Sequence, residues 1–239
     1  MKTIHCHVAV PTKSFWQDYW LGLGLAAGIG LSILSGGFHT FGHDASAPAG
    51  TLKHLIMEGE AGSKGYNSYN RGSMRCAKGN RQNLQLTNMS IQQIQYYQSL
   101  PACTPNKLLA VGHYQMVPET LNRAVRTLNI PRSTRFTPQV QDTIFALYLA
   151  KEKQPAIRRW ICGGQNIKQA AHAVAGEWAI FKTPYTNRGV YDGLGSNKAR
   201  IGSHRVIRAL MRARQHYYTL TKTGMPADKA YAMALGVAP

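Results

Sequence analysis

The chain has 239 residues, room for one catalytic domain with an appendage but not for two full enzymatic domains. Hydrophobic residues make up 44%, and 23 Gly with 11 Pro is not a low-complexity composition, so wholesale disorder is excluded. Lys and Arg number 28 against 10 Asp and Glu, and the resulting +18 points to a polyanionic partner: nucleic acid, anionic lipid, or an acidic polymer such as the bacterial wall.

The first predicted element runs from Trp20 to Phe38, WLGLGLAAGIGLSILSGGF, uncharged over 19 residues and close to the roughly 20 that a spanning helix needs. Trp16, Tyr19 and Trp20 at one end, with Phe38 and Phe41 at the other, resemble interfacial belts. Residues 1–19 are therefore read as a short cytoplasmic tail, 20–41 as a transmembrane anchor in the bacterial inner membrane or a virion membrane, and the remainder of the chain as periplasmic in the first case. The alternatives are a buried core helix and a signal peptide cleaved after Ala45-Ser46-Ala47, against which Pro48 argues. Lys2 and Lys13 before the segment set the orientation. They also cancel Asp18 and Asp44, so the whole surplus of +18 lies beyond residue 50.

Residues 42–50, broken by Pro48 and Gly50, read as a linker. Thr51 then caps a short helix with Leu52, Leu55, Ile56 and Gly59 on one face, ended by Gly62. Residues 61–88 carry Gly, Asn and Ser without periodicity and predict loop with a small hairpin lobe. Helical spacing returns over Ser90 to Ser99, Pro118 to Leu128, Pro138 to Lys153, Ile167 to Trp178, His204 to about Thr223 and Pro226 to Leu235. The exported part is thus expected to be mainly α, with residues 203–239 a basic helical extension packed on it. Of the four cysteines, Cys6 falls on the reducing side, and Cys76 with Cys103 is the preferred bridge because both flank one excursion. Cys162 is left over. No His/Cys cluster has metal-ligand spacing, so neither metal nor cofactor is expected.

With so few carboxylates, acid/base chemistry has a short list of carriers. Glu58 and Glu60 close the first helix and run into Gly65-Tyr66-Asn67-Ser68-Tyr69-Asn70-Arg71-Gly72. A carboxylate half packed against apolar neighbours has its charged form disfavoured, and a general acid working near neutrality needs that raised pKa. Tyr66 and Tyr69 offer flat faces, and Asn67 and Asn70 offer amides, the usual means of holding a sugar. The plain alternative is a solvated helix end followed by a turn.

A second stretch, Val111-Gly112-His113-Tyr114-Gln115-Met116, bears on that choice. The order of GYNSYNRG after the acidic helix end, LTNMSIQQIQYYQ at 86–98, AVGHYQMVPETL at 110–121, FTPQVQDTIFALYL at 136–149 and AAHAVAGEWAIFKTP at 170–184 resembles the phage lambda-type endolysin family of lysozyme-fold lytic transglycosylases. The resemblance covers residues 51–202 and implies a lysozyme-like catalytic domain there, with one catalytic Glu at the end of the first helix. The family's spacing falls on Glu60, with Glu58 as the alternative. It further implies that Tyr114 and Gln115 line the cleft opposite the acid and that Gly112 admits the glycan backbone closely; Trp178 and Tyr185 would add stacking.

The implied reaction is cleavage of the β-1,4 bond between N-acetylmuramic acid and N-acetylglucosamine in peptidoglycan, leaving 1,6-anhydro ends. A hydrolytic muramidase would usually need a second carboxylate at about 5–5.5 Å or about 6.5–9.5 Å. Glu119, Asp142, Glu177 and Asp192 are its candidates, and none sits in a motif that assigns it that role. Arg205, Arg208 and Arg212 share a helix face, read as a solvated face or as a grip for phosphates. No specific nucleic acid is expected. The rival to an enzyme is a membrane-anchored basic protein that binds wall or nucleic acid without catalysis.

Overall fold

The computed structural model describes residues 49–72, 83–195 and 197–238. Helix α1, Leu52–Ile56, is capped by Thr51, whose Oγ1 accepts from the His54 N–H at 3.2 Å. It widens into a π-turn, Met57–Ala61, and stops at Gly62, whose φ of +55° is costly for any side chain. A 3₁₀ segment, Gly62–Asn67, leads to strand β1, Tyr69–Asn70. Helix α2, Ile91–Ser99, opens on a reciprocal capping box between Ser90 and Gln93. Strand β2, Ala110–Val111, precedes α3, Pro118–Thr127, which has proline in its first turn.

Helix α4, Pro138–Thr143, continues as a π-helical stretch, Ile144–Lys153, and every residue from Val140 to Lys151 is buried. A helix buried all round is a core helix, and the remaining helices share its apolar cluster. They are α5, Pro155–Ile161; α6, Ile167–Glu177; α7, Ser203–Lys222; and α8, Ala227–Ala234. The C-terminal helices share its core. Tyr231 donates its hydroxyl to the Ala150 carbonyl at 2.8 Å, and the Lys53 N–H donates to the Leu235 carbonyl at 3.2 Å, tying α8 to both α4 and α1. Tyr217, Tyr231 and Leu235 belong to the same apolar cluster as Leu52, Phe145 and Trp178.

Two expectations change. The small hairpin expected within 61–88 falls partly on residues 73–82, outside the described residues, and the strand that is described there pairs with a distant segment, Tyr69 with Val111 and Asn70 with Ala110. The membrane anchor, and with it the inner-membrane localisation, is withdrawn. No helix among the described residues is long and apolar enough to cross a membrane, and the span expected over 20–41 lies outside them. The longest described helix, α7, carries Arg205, Arg208, Arg212 and Arg214, charges that a hydrocarbon layer would exclude. Cys103 and Cys162 each take part in a disulfide. Cys76 lies outside the described residues, and the Cys76–Cys103 pairing with it.

Candidate active site

The two carboxylates that end α1 stand in opposite environments. Glu58 is exposed and forms a two-pronged ion pair with Arg205, both contacts 2.7 Å, and this guanidinium holds its carboxyl below the usual range. Glu60, two residues further along the π-turn, is half-buried, and burial raises its pKa. The Ile180 N–H donates to Glu60 Oε1 at 3.2 Å and Arg200 contributes positive charge, both opposing that rise without cancelling it. No carboxylate is among the groups that shift Glu60. Arg205 thus favours the anionic form of Glu58, while burial favours the protonated form of Glu60. Glu58→Gln is expected to cost at most about 1 kcal/mol, the range for an exposed ion pair, and to leave any activity intact; urea melts and a turnover assay check it.

Gly59 between them permits this arrangement. A Cβ added there would lie 2.5 Å from Ile180 Cγ1, so only glycine lets the 178–181 segment approach the helix end and place its N–H on Glu60. Gly59→Ala is expected to destabilise the fold by about 1–3 kcal/mol, as overpacking does, and to loosen the Ile180–Glu60 contact. Denaturant midpoints measure the first effect and the pH profile of activity the second.

Beneath the loop after Glu60 lies a buried polar network centred on Asp142 of α4. Its Oδ2 receives Lys53 Nζ at 2.7 Å, and its Oδ1 accepts the hydroxyls of Tyr66 at 2.8 Å and Tyr114 at 2.6 Å. Lys53 is 3% exposed and Asp142 6%, so the pair is compensated inside the protein and not by water. Gln141, the preceding residue, accepts from the His113 N–H at 2.9 Å and donates to the carbonyls of Tyr66 and Phe136. Two adjacent α4 side chains therefore hold both the 62–70 loop and the 112–116 turn. Gly112 (φ +75°) is required at that turn, because a Cβ would lie 2.3 Å from Gln141 Oε1. Burial keeps His113 neutral by pushing its pKa down to about 4, and its ring lies 4.7 Å from that of Tyr66.

This geometry sorts the predicted glycan contacts. Tyr114 and Trp178 are each 2% exposed and stand in the core: Tyr114 stacks on Phe145 at 4.4 Å, and Trp178 donates Nε1 to the Tyr114 carbonyl at 3.2 Å. Neither is placed to touch a sugar. Tyr66 has its hydroxyl committed to Asp142, and Asn67 Oδ1 accepts from the Thr87 N–H and hydroxyl. Gln115, at φ +47°, is half-buried and donates to the Gly112 carbonyl at 2.8 Å and to Ser68 Oγ at 3.3 Å. Tyr69 has Lys64 and Arg71 against its ring, at 5.1 and 5.0 Å. Asn70 and Tyr185 are the exposed members, Tyr185 lying edge-on to His172 at 5.3 Å, five residues beyond the Ile180 contact.

The other candidate carboxylates are committed elsewhere. Glu119 pairs with Arg123 within α3, Glu177 with Lys153 and Gln154, and Asp192 accepts the N–H groups of Gly189 and Ala199 to close a loop. Sequence reasoning weighed Asp142 only as a second catalytic acid. An acid on the inner face of an otherwise buried helix, with a lysine on the inner face of α1, was the available signal of a buried pair. Comparison with known protein families, with curated proteins and with solved structures finds no match for this chain.

Proposed function

We propose that the protein cleaves the β-1,4 bond between N-acetylmuramic acid and N-acetylglucosamine in peptidoglycan, as a lytic transglycosylase in which Glu60 is the single acid and base. The observation that carries this reading is the contrast at the end of α1: a half-buried Glu60 with raised pKa and no carboxylate among the groups that shift it, beside an ion-paired Glu58. Protonated Glu60 gives its proton to the glycosidic oxygen as the bond to muramic acid C1 breaks. The resulting carboxylate takes the proton of the muramic acid 6-hydroxyl, whose oxygen closes on C1. One bond breaks, one forms, no water is consumed, and Glu60 ends protonated as it began. The Ile180 N–H and the Arg200 charge stabilise the carboxylate stage, while burial favours the acid stage, the balance a group with both duties needs.

The lysozyme-like resemblance of residues 51–202 supplies the substrate class, and the surplus of +18 suits a wall whose stem peptides carry free carboxylates. The full chain incubated with purified peptidoglycan is expected to release soluble muropeptides. A preparation that binds the polymer and releases none overturns catalysis in favour of a wall-binding role.

A further inference from the structure

Away from Glu60, an open groove of about 590 Å³ lies between α5 and α7, with Trp160, Arg208, Met211, Arg212, Arg214 and Tyr218 around it. Its floor is prebuilt. Arg214 sits over the Trp160 ring, its Cζ 4.2 Å from the ring centre, and donates Nη1 to the Gly164 carbonyl at 3.0 Å, while Trp160 donates Nε1 to the Leu210 carbonyl at 3.0 Å. Arg208 and Arg212 stand exposed on the rim, Arg212 against the backbone of Gly50. Met211 is 56% exposed beside them. Among the described residues none of these three arginines takes part in an ion pair, whereas Arg205 on the same helix is neutralised by Glu58.

Stacked guanidinium and indole, an exposed thioether and rim cations make a lining that is mainly apolar with fixed positive charges at its edge. That combination matches a short peptide that alternates methyl groups with carboxylates better than it matches a nucleic acid. Arg214 already covers one face of Trp160, leaving less of the ring for a base to stack on. Bidentate guanidinium contacts favour planar carboxylates.

We infer that this groove binds the acidic stem peptides of peptidoglycan, holding the enzyme on the polymer that Glu60 cuts; the inference rests on the proposed function for its choice of polymer. The probe is sedimentation of full-length protein carrying Glu60→Gln, which leaves the polymer uncut. Two polymers are compared, intact purified peptidoglycan and the same material stripped of stem peptides by an amidase, with single-stranded DNA and free stem peptide as competitors.

Binding to intact material is expected to exceed binding to stripped glycan by tenfold or more. Arg208→Gln/Arg212→Gln is expected to remove most of that difference, and Arg208→Lys/Arg212→Lys to restore much of it. In the otherwise wild-type chain the Gln pair should raise the peptidoglycan concentration needed for half-maximal turnover. Equal binding to intact and stripped material, or an unaffected Gln pair, overturns the inference. So does displacement by DNA at lower concentration than by free stem peptide. Stem-peptide-dependent binding by a wild-type chain that never cleaves would overturn the catalytic reading and leave the groove standing, so the two failures are separable.

Discussion

Glu60→Gln is expected to lower peptidoglycan cleavage by about 10²–10⁴-fold, the usual contribution of a positioned general acid, with the fold intact. The amide keeps the shape and the oxygen that accepts the Ile180 N–H, but it has no proton to deliver to a glycosidic oxygen. Stability should move the other way. A carboxyl whose pKa is higher folded than unfolded binds its proton more tightly in the native state, so it lowers stability as pH rises from the ordinary glutamate value through the raised one. The Gln variant escapes that loss, and above this window it should be at least as stable as the wild type. Wild-type activity should likewise fall as pH rises through the raised pKa, because the acid form is lost. Thermal melts and rates across pH on the two proteins measure all three effects. A Gln variant that is inactive and also less stable would make Glu60 a structural residue.

Asp142→Asn is expected to destabilise the protein by about 3–5 kcal/mol, a large share of the roughly 5–15 kcal/mol that holds a domain together. The cause is the buried charge left behind. Asn keeps an oxygen for the two tyrosine hydroxyls but sets a neutral amide against Lys53 Nζ, at present 2.7 Å from the carboxylate and hidden from water. Lys53→Met/Asp142→Leu, which removes both charges, should recover much of the loss, and a double-mutant cycle in urea shows whether it does. Any fall in activity should follow the folded fraction and the seating of Tyr66. It should not resemble the loss of a reacting group.

The difference between these two acids marks how far the sequence was legible. Helices over 91–99, 118–127, 138–153, 167–177, 203–222 and 227–234 form where apolar spacing and caps placed them, because those signals act within one turn. The helix Pro155–Ile161 was missed: it comes one residue after Lys153 and is too short to show periodicity. The β1–β2 pairing joins segments about 40 residues apart, and no local pattern announces such a partner. At the site, helix-end position brought Glu58 and Glu60 forward together and the family resemblance preferred Glu60, but their separation depends on Arg205 and Ile180, contributed from 147 and 120 residues away. Tyr114 and Trp178 read as cleft residues because aromatic side chains look alike in sequence whether they face a sugar or a core. Burial beside α4 decides for the core.

The central claim is that one acid does the work and the substrate's own hydroxyl is the nucleophile, and the masses of the products test it most directly. Wild-type protein digesting purified peptidoglycan, with the Glu60→Gln variant in parallel, should yield muropeptides ending in non-reducing 1,6-anhydromuramic acid, each lighter by one water than its hydrolysed counterpart. The variant should yield almost none. Reducing ends from the wild type would contradict the account: they would require an activated water, and so a second group beside Glu60.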